Sequence, residues 1–243
     1  MSLPVLDCVK YETVVPSTGK TIKYRPFLVK EEKVILIAQQ EDSIKTALQA
    51  VKDIIDNCTF NALDIDSLKT YDIEYIFLQI RMKSKGEIVP MAFSCQKEKE
   101  NGDSCNNIIN IDLDLKEAKV IGNKDLEART VMLDEDKKIG LVMLAPDFSL
   151  IESLQEYATS KDSDVLYELV PKFVECVFQS ETIYEFTDEE FAQWLESMSP
   201  EQFSKITEYF ENLPKLSLTH KICCDQCKHE EDVTLQGLKS FLT

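Results

Sequence analysis

The chain has 243 residues, and 44 Asp and Glu against 27 Lys and Arg give a formal net charge of −17. That balance argues against a protein that tracks nucleic-acid phosphates, whose footprint is a basic face. At 44% hydrophobic the chain can bury a real core, yet no apolar run approaches the roughly 20 residues of a membrane-spanning helix. The N-terminal MSLPVLDCVKYE lacks the pattern of a secretory signal, so a soluble cytoplasmic protein without a membrane partner is expected.

In chain order, CVKYETVV and KTIKYRPF flank the turn residues PSTGK and predict a hairpin. The turn lacks the full glycine-rich pattern of a phosphate loop. Val34, Ile37, Ile44, Leu48, Val51 and Ile55 recur at helical spacing and predict one amphipathic helix over 31–56. A second helix is expected over 67–83, with Leu68, Tyr71, Tyr75, Leu78 and Met82 on a core-facing stripe. IVPMAF and NIINIDL then predict strands on either side of a polar loop. Residues 114–148 read as β-rich, with EARTVML and KIGLVML paired around the acidic turn DEDKK. Residues 150–212 read as helical. Asp164 is placed to cap VLYELV, and Pro171 to kink or divide that helix. Thr187-x-x-Glu190 and Ser199-x-x-Gln202 are capping boxes, the second with Pro200 at the first helical position. Phe203, Ile206, Phe210 and Leu213 form an apolar stripe that Pro214 ends. LSLTHKI and DVTLQ predict a last pair of strands, followed by a short terminal helix, LKSFL.

Eight cysteines in a reducing compartment need a reason other than disulfides. Cys8, Cys58 and Cys176 are isolated and are expected in the core, Cys176 on an apolar helix. Cys224-x-x-Cys227 has zinc-knuckle spacing, in which a tight turn points both thiolates at one metal. Cys95 and Cys105 flank the upstream polar loop, with nine residues between them. Both pairs sit on a strand-turn-strand pattern, so two hairpins meeting face to face would surround one structural zinc per chain. Alternation selects Cys224 over Cys223. Leu216, Leu218, His220, Ile222 and Cys224 share one parity, and Phe93 precedes Cys95 by two as Ile222 precedes Cys224. The expected ligands are therefore Cys95, Cys105, Cys224 and Cys227. Because roughly 120 residues separate the two pairs, one metal would clip together the ends of a long middle segment. The expected fold is α+β. An N-terminal hairpin, helices and first Cys hairpin occupy 1–113. An inserted β-rich then helical module occupies 114–213. A second Cys hairpin and terminal helix, 214–243, pack back on the first part.

The two histidines, His220 and His229, both lie around the second Cys pair. No nucleophile motif, dinucleotide fingerprint or H-E-x-x-H pattern is present. His229 reads as a solvated turn residue. A non-enzymatic protein with no catalytic residue, no small-molecule substrate and no cofactor beyond zinc is expected. Charge is uneven: residues 181–211 carry nine acidic side chains and one basic one. That stretch, with Glu189, Glu190 and Glu201, is a candidate docking face for a basic partner, weighed against a plain solvated helix surface. The segment around Arg25, Pro26 and Phe27 is a second candidate surface, with Phe27 alternatively a core anchor. A zinc-ribbon adaptor for nucleic acid or transcription machinery is the alternative, and it would call for a basic stripe.

Two segments carry a family resemblance. KYRPFLVKEEKVILIA, residues 23–38, resembles the opening of the baseplate hub proteins of T-even-like contractile-tailed bacteriophages. FTDEEFAQWLESMSPEQFSKITEYFENLPKL, residues 186–216, is the second strong segment. The order of hairpin, aromatic helix, Cys pair, β-rich centre, Pro-punctuated helices and second Cys pair is also similar over nearly the whole chain. The first pair departs from the Cys-x-x-Cys common among relatives. The resemblance implies a non-enzymatic protein of tail morphogenesis, either a structural subunit or an assembly factor. Its partners would be other baseplate and hub proteins. Its location would be the host cytoplasm during assembly and the virion tail baseplate.

Overall fold

In the computed structural model, which describes residues 6–40, 44–98, 104–122, 129–144, 167–237 and 240, strands β1 (Tyr11–Val14) and β2 (Thr21–Tyr24) pair antiparallel, Tyr11 opposite Tyr24. Helices α1 (Val29–Gln40), α2 (Ile44–Cys58) and α3 (Thr70–Lys85) follow. The single helix expected over 31–56 is thus two. α2 turns Leu48, Val51, Ile54 and Ile55 inward. In α1 it is Ile35 and Ala38 that are buried, while Ile37, assigned to the stripe, is exposed. The run VILIA is apolar on every side, so periodicity alone could not select its inner face. These helices and the hairpin close a first core around Tyr24, Val51, Ile55, Ile73 and Phe77. At the start of α3 the buried Asp72 carboxylate accepts from the N–H groups of Lys69 at 3.2 Å and Ser17 at 2.8 Å. One carboxylate thereby satisfies an orphan donor at the helix start and ties down the turn of the N-terminal hairpin.

Helix α3 is buried on two sides. Ile73, Ile76, Phe77 and Ile80 face the first core, while Leu78 and Met82 face a second, with Leu113, Leu115, Leu216 and Leu218. The second core lies beneath two hairpins. One is β3 (Ile88–Ser94) with β4 (Ile108–Asp114). The other is β10 (Lys215–Cys223) with β11 (Glu230–Gln236). The Glu74 carboxylate of α3 accepts from the buried Leu216 N–H at 2.9 Å, which fixes where β10 crosses the helix. Strand β5 (Lys119–Ile121), from the stretch expected to begin the middle module, pairs with β10 instead, Val120 opposite Leu216.

The middle of the chain builds its own core. Strands β6 (Thr130–Asp134), β7 (Ile139–Met143), β8 (Val174–Gln179) and β9 (Thr182–Tyr184) form one antiparallel sheet in chain order. Helices α4 (Asp188–Glu196) and α5 (Pro200–Glu211) pack on it through Phe191, Leu195, Ile206 and Phe210. The DEDKK hairpin and both capping boxes are present: Glu190 N–H donates to Thr187 Oγ1 at 3.3 Å and Gln202 N–H to Ser199 Oγ at 3.2 Å. The helical expectation for 150–212 fails over 174–184, which form two strands joined by a two-residue turn. VECVFQ has β-branched and aromatic residues on both parities, so neither period stands out. Cys176 therefore lies on β8 rather than a helix, and it is half-buried, as is Cys8; Cys58 is fully buried. Pro171 stands in a short turn of 3-10 helix, 170–173, that leads into β8. Asp164 and most of LKSFL lie outside the described residues. Among the described residues no helix is long and apolar enough to cross a membrane.

Candidate metal centre

The tips of the hairpins β3–β4 and β10–β11 bring Cys95, Cys105, Cys224 and Cys227 together, their four Sγ atoms all within 4.8 Å of one another. Cys95 Sγ lies 3.6 Å from Cys227 Sγ, and Cys105 Sγ 3.9 Å from Cys224 Sγ. A disulfide needs about 2.05 Å, so these are free thiols. Four sulfurs placed about 2.3 Å from a tetrahedral zinc lie about 3.8 Å apart, which both distances match closely. The donor set is all sulfur, which suits zinc over magnesium or calcium.

The two hairpins use the same backbone device despite their different loop lengths. The N–H of the first Cys donates to the carbonyl two residues past the second: Cys95 to Asn107 at 2.9 Å, Cys224 to His229 at 2.8 Å. The residue after the second Cys donates back to the first: Asn106 to Cys95 at 3.0 Å, Lys228 to Cys224 at 2.8 Å. Those two residues, Asn106 and Lys228, have φ of 53° and 59°. The left-handed turn aims the second thiol of each pair back at the first. Between Cys95 and Cys105 a bridge pairs Glu98 with Ser104, so the base that holds the two cysteines is closed as in the shorter hairpin.

Apolar side chains surround most of the cluster. Cys95, Cys105 and Cys224 are buried among Ile109 and Ile222, with Phe93 and Val233 alongside. Cys223 is exposed. The backbone N–H of Cys227, with that of Gln226 and the Asn107 amide, holds the Cys224 thiol down at about 6. At Cys95 the Lys97 N–H favours the thiolate, but burial and hydrogen bonding with the other three thiols push it up to about 12. One thiolate forms readily and the next is opposed, because like charges crowd a small volume. A dication reverses that opposition. Side chains not foreseen from spacing also reach the sulfurs: Asn107 Nδ2 donates to Cys224 Sγ at 3.5 Å, and Cys105 Sγ donates to Gln226 Oε1 at 3.5 Å. Nothing in the sequence marks these two amides. His229 stands outside the cluster, its Nε2 3.7 Å from Glu231.

The other candidate residues lie elsewhere. Arg25 is buried, its guanidinium paired with Glu31 at 2.9 and 3.3 Å and donating to the Pro26 carbonyl at 2.9 Å. That places it in the interior rather than on a docking surface. Phe27 is half-buried against the first core. Glu189, Glu190 and Glu201 are exposed in the first turns of α4 and α5, where they oppose the positive helix ends.

No curated protein and no solved structure gives a match to the chain. The profile of the T4 bacteriophage base plate protein family matches residues 8–243. That span takes in both hairpins of the four-thiol cluster and the segments 23–38 and 186–216, and the chain belongs to the T4 bacteriophage base plate protein family.

Proposed function

We propose that the protein works in tail morphogenesis as a baseplate hub subunit or hub assembly factor, by protein–protein contact, with one structural zinc per chain. Its partners are other baseplate and hub proteins, met first in the host cytoplasm and retained in the tail where it is a subunit. The observation that carries the zinc is the convergence of four thiols from segments 119 and 132 residues apart, at the spacing of a tetrahedral sulfur site. Four thiolates fill a tetrahedral shell and leave no position for a reactive water, which favours a structural over a catalytic metal. In this picture residues 114–213 are a module inserted between the two Cys hairpins, with β5 returned to the base beside β10. The acidic stretch 181–211 and the formal charge of −17 favour a basic protein partner over nucleic acid.

The test is mass spectrometry of finished particles beside a pull-down from infected cells. Presence in particles identifies a structural subunit. Absence from particles with hub proteins in the pull-down identifies an assembly factor. Absence from both sinks the proposal.

A further inference from the structure

Strand β9 is an edge of the four-stranded sheet, and its geometry is unusually open. The two-residue turn Ser180-Glu181, with Ser180 at φ 55°, joins β8 to β9 and sets Gln179 opposite Thr182 and Val177 opposite Tyr184. In such a hairpin the pair beside the turn exchanges both hydrogen bonds, and so does every second pair beyond it. Ile183, opposite Phe178, is the intervening position. Its N–H and C=O therefore point away from β8, and among the described residues no strand pairs along that side. Ile183 is 68% exposed and Tyr184 46%. On the helix side a groove of about 340 Å³ runs between the strands and α4, walled by Val177, Tyr184, Phe186 and Trp194. It holds a few side chains but no folded domain.

The rim of this edge is acidic. Glu181 and Glu185 flank β9 with the parity of Ile183, and Asp188, Glu189 and Glu190 follow, all exposed. No lysine or arginine occurs between Lys172 and Lys205. The neighbouring cation across the sheet is Lys138, whose carbonyl accepts from Ser180 N–H. An exposed apolar edge is a template for strand addition. A second copy pairing antiparallel about Ile183 would set Glu181 against Glu185 twice, and like charges directly opposite repel. The edge is thus unfavourable to its own copies and complementary to a cationic strand.

We propose that β9 accepts an extended segment of a partner protein in which Lys or Arg alternates with aliphatic or aromatic residues. The added strand pairs with the free N–H and C=O of Ile183. Its basic side chains face Glu181 and Glu185, and its apolar ones enter the groove beside Tyr184 and Trp194. The proposal rests on the protein-binding function above and names the chemistry of the partner.

The probe is a short labelled peptide of alternating lysine and valine, titrated onto the full-length protein and followed by fluorescence anisotropy. Saturable binding that weakens at least about tenfold between about 50 mM and about 0.5 M salt is expected. Ile183→Pro removes the outward donor without touching a bond to β8. It and the Glu181→Gln/Glu185→Gln double variant should each weaken binding about tenfold with the unfolding midpoint unchanged. If Ile183→Pro lowers that midpoint, the double Gln variant decides. Equal binding of a glutamate–valine peptide, binding insensitive to the deciding variant, or no binding overturns the proposal. So does self-association that Ile183→Pro abolishes, which would assign the edge to a second copy. Particle content is measured independently, so failure here leaves the baseplate assignment standing.

Discussion

Cys95 and Cys227 stand 132 residues apart in the chain, with their sulfurs 3.6 Å apart. A metal held there closes a loop that contains the whole middle core, and metal-binding free energy becomes folding free energy. Cys227→Ser is expected to lose zinc and to lower stability by several kcal/mol. Cys223→Ser, one residue from a ligand but exposed, should keep about one zinc per chain and change stability by no more than about 0.5 kcal/mol. Metal analysis beside urea unfolding checks both. Equal stability of the two variants would sink the clip.

The pair Arg25–Glu31 predicts a pH effect of definite sign. Burial raises the Glu31 carboxyl, but the Arg25 guanidinium, the Leu28 N–H and Lys30 outweigh it and hold the group below its ordinary 4.5. A depressed carboxylate contributes stability that is fully present above its unfolded value and is lost as pH falls through the folded one. Stability should therefore decline on acidification from about pH 5 downward. Glu31→Ala leaves a buried guanidinium without its partner and should cost about 3–5 kcal/mol at neutral pH. Arg25→Met/Glu31→Leu should cost far less and show a flatter acid limb. Denaturant unfolding between pH 3 and pH 7, values set roughly by the carboxylate range, measures both.

The pattern of what could be foreseen follows from the range of the forces involved. Strand parity separated Cys224 from Cys223 because alternation is a local rule, and the fold turns Cys224 inward and Cys223 to solvent. The capping boxes were legible for the same reason: every atom involved lies within four residues. β8 and β9 were not. Their sheet holds apolar residues on both faces, and Ser180 takes a positive φ without the Gly or Asn that announces such a turn. Arg25 looked like a surface cation because its partner geometry, and the Cys58 carbonyl that accepts its N–H at 3.0 Å, exist only once α1 and α2 have packed.

The two capping boxes offer matched variants in one module. Thr187→Ala and Ser199→Ala each remove the side-chain acceptor for the N3 N–H, at Glu190 and Gln202. Each should cost about 1 kcal/mol, and Gly at the same position only a few tenths more than wild type. Thermal unfolding followed by circular dichroism resolves the difference. Because both helices pack on the core of β6–β9, neither variant should alter zinc content.

Gly122 directly follows β5, and two effects converge on it. Its φ is 100°, and a Cβ there would meet the Leu213 carbonyl at 2.8 Å and the Asn212 carbonyl at 2.9 Å. Gly86, at the end of α3, has nearly the same φ of 99° but nothing within 4 Å of the added atom. Comparing Ala at the two positions separates backbone strain from collision. Gly86→Ala, at φ 99° and ψ 166°, carries strain alone and should cost about 1–3 kcal/mol. Gly122→Ala must also push apart the backbone leaving α5 and the strand β5, and should cost about 1–3 kcal/mol more. Hydrogen exchange should then show faster exchange in β5 and at Lys215–Ser217, the residues it pairs with. Protection at the Cys224 end of β10 should persist, since the four thiols hold that end independently. Equal costs at the two glycines would mean that the close approach at Gly122 relaxes without loss.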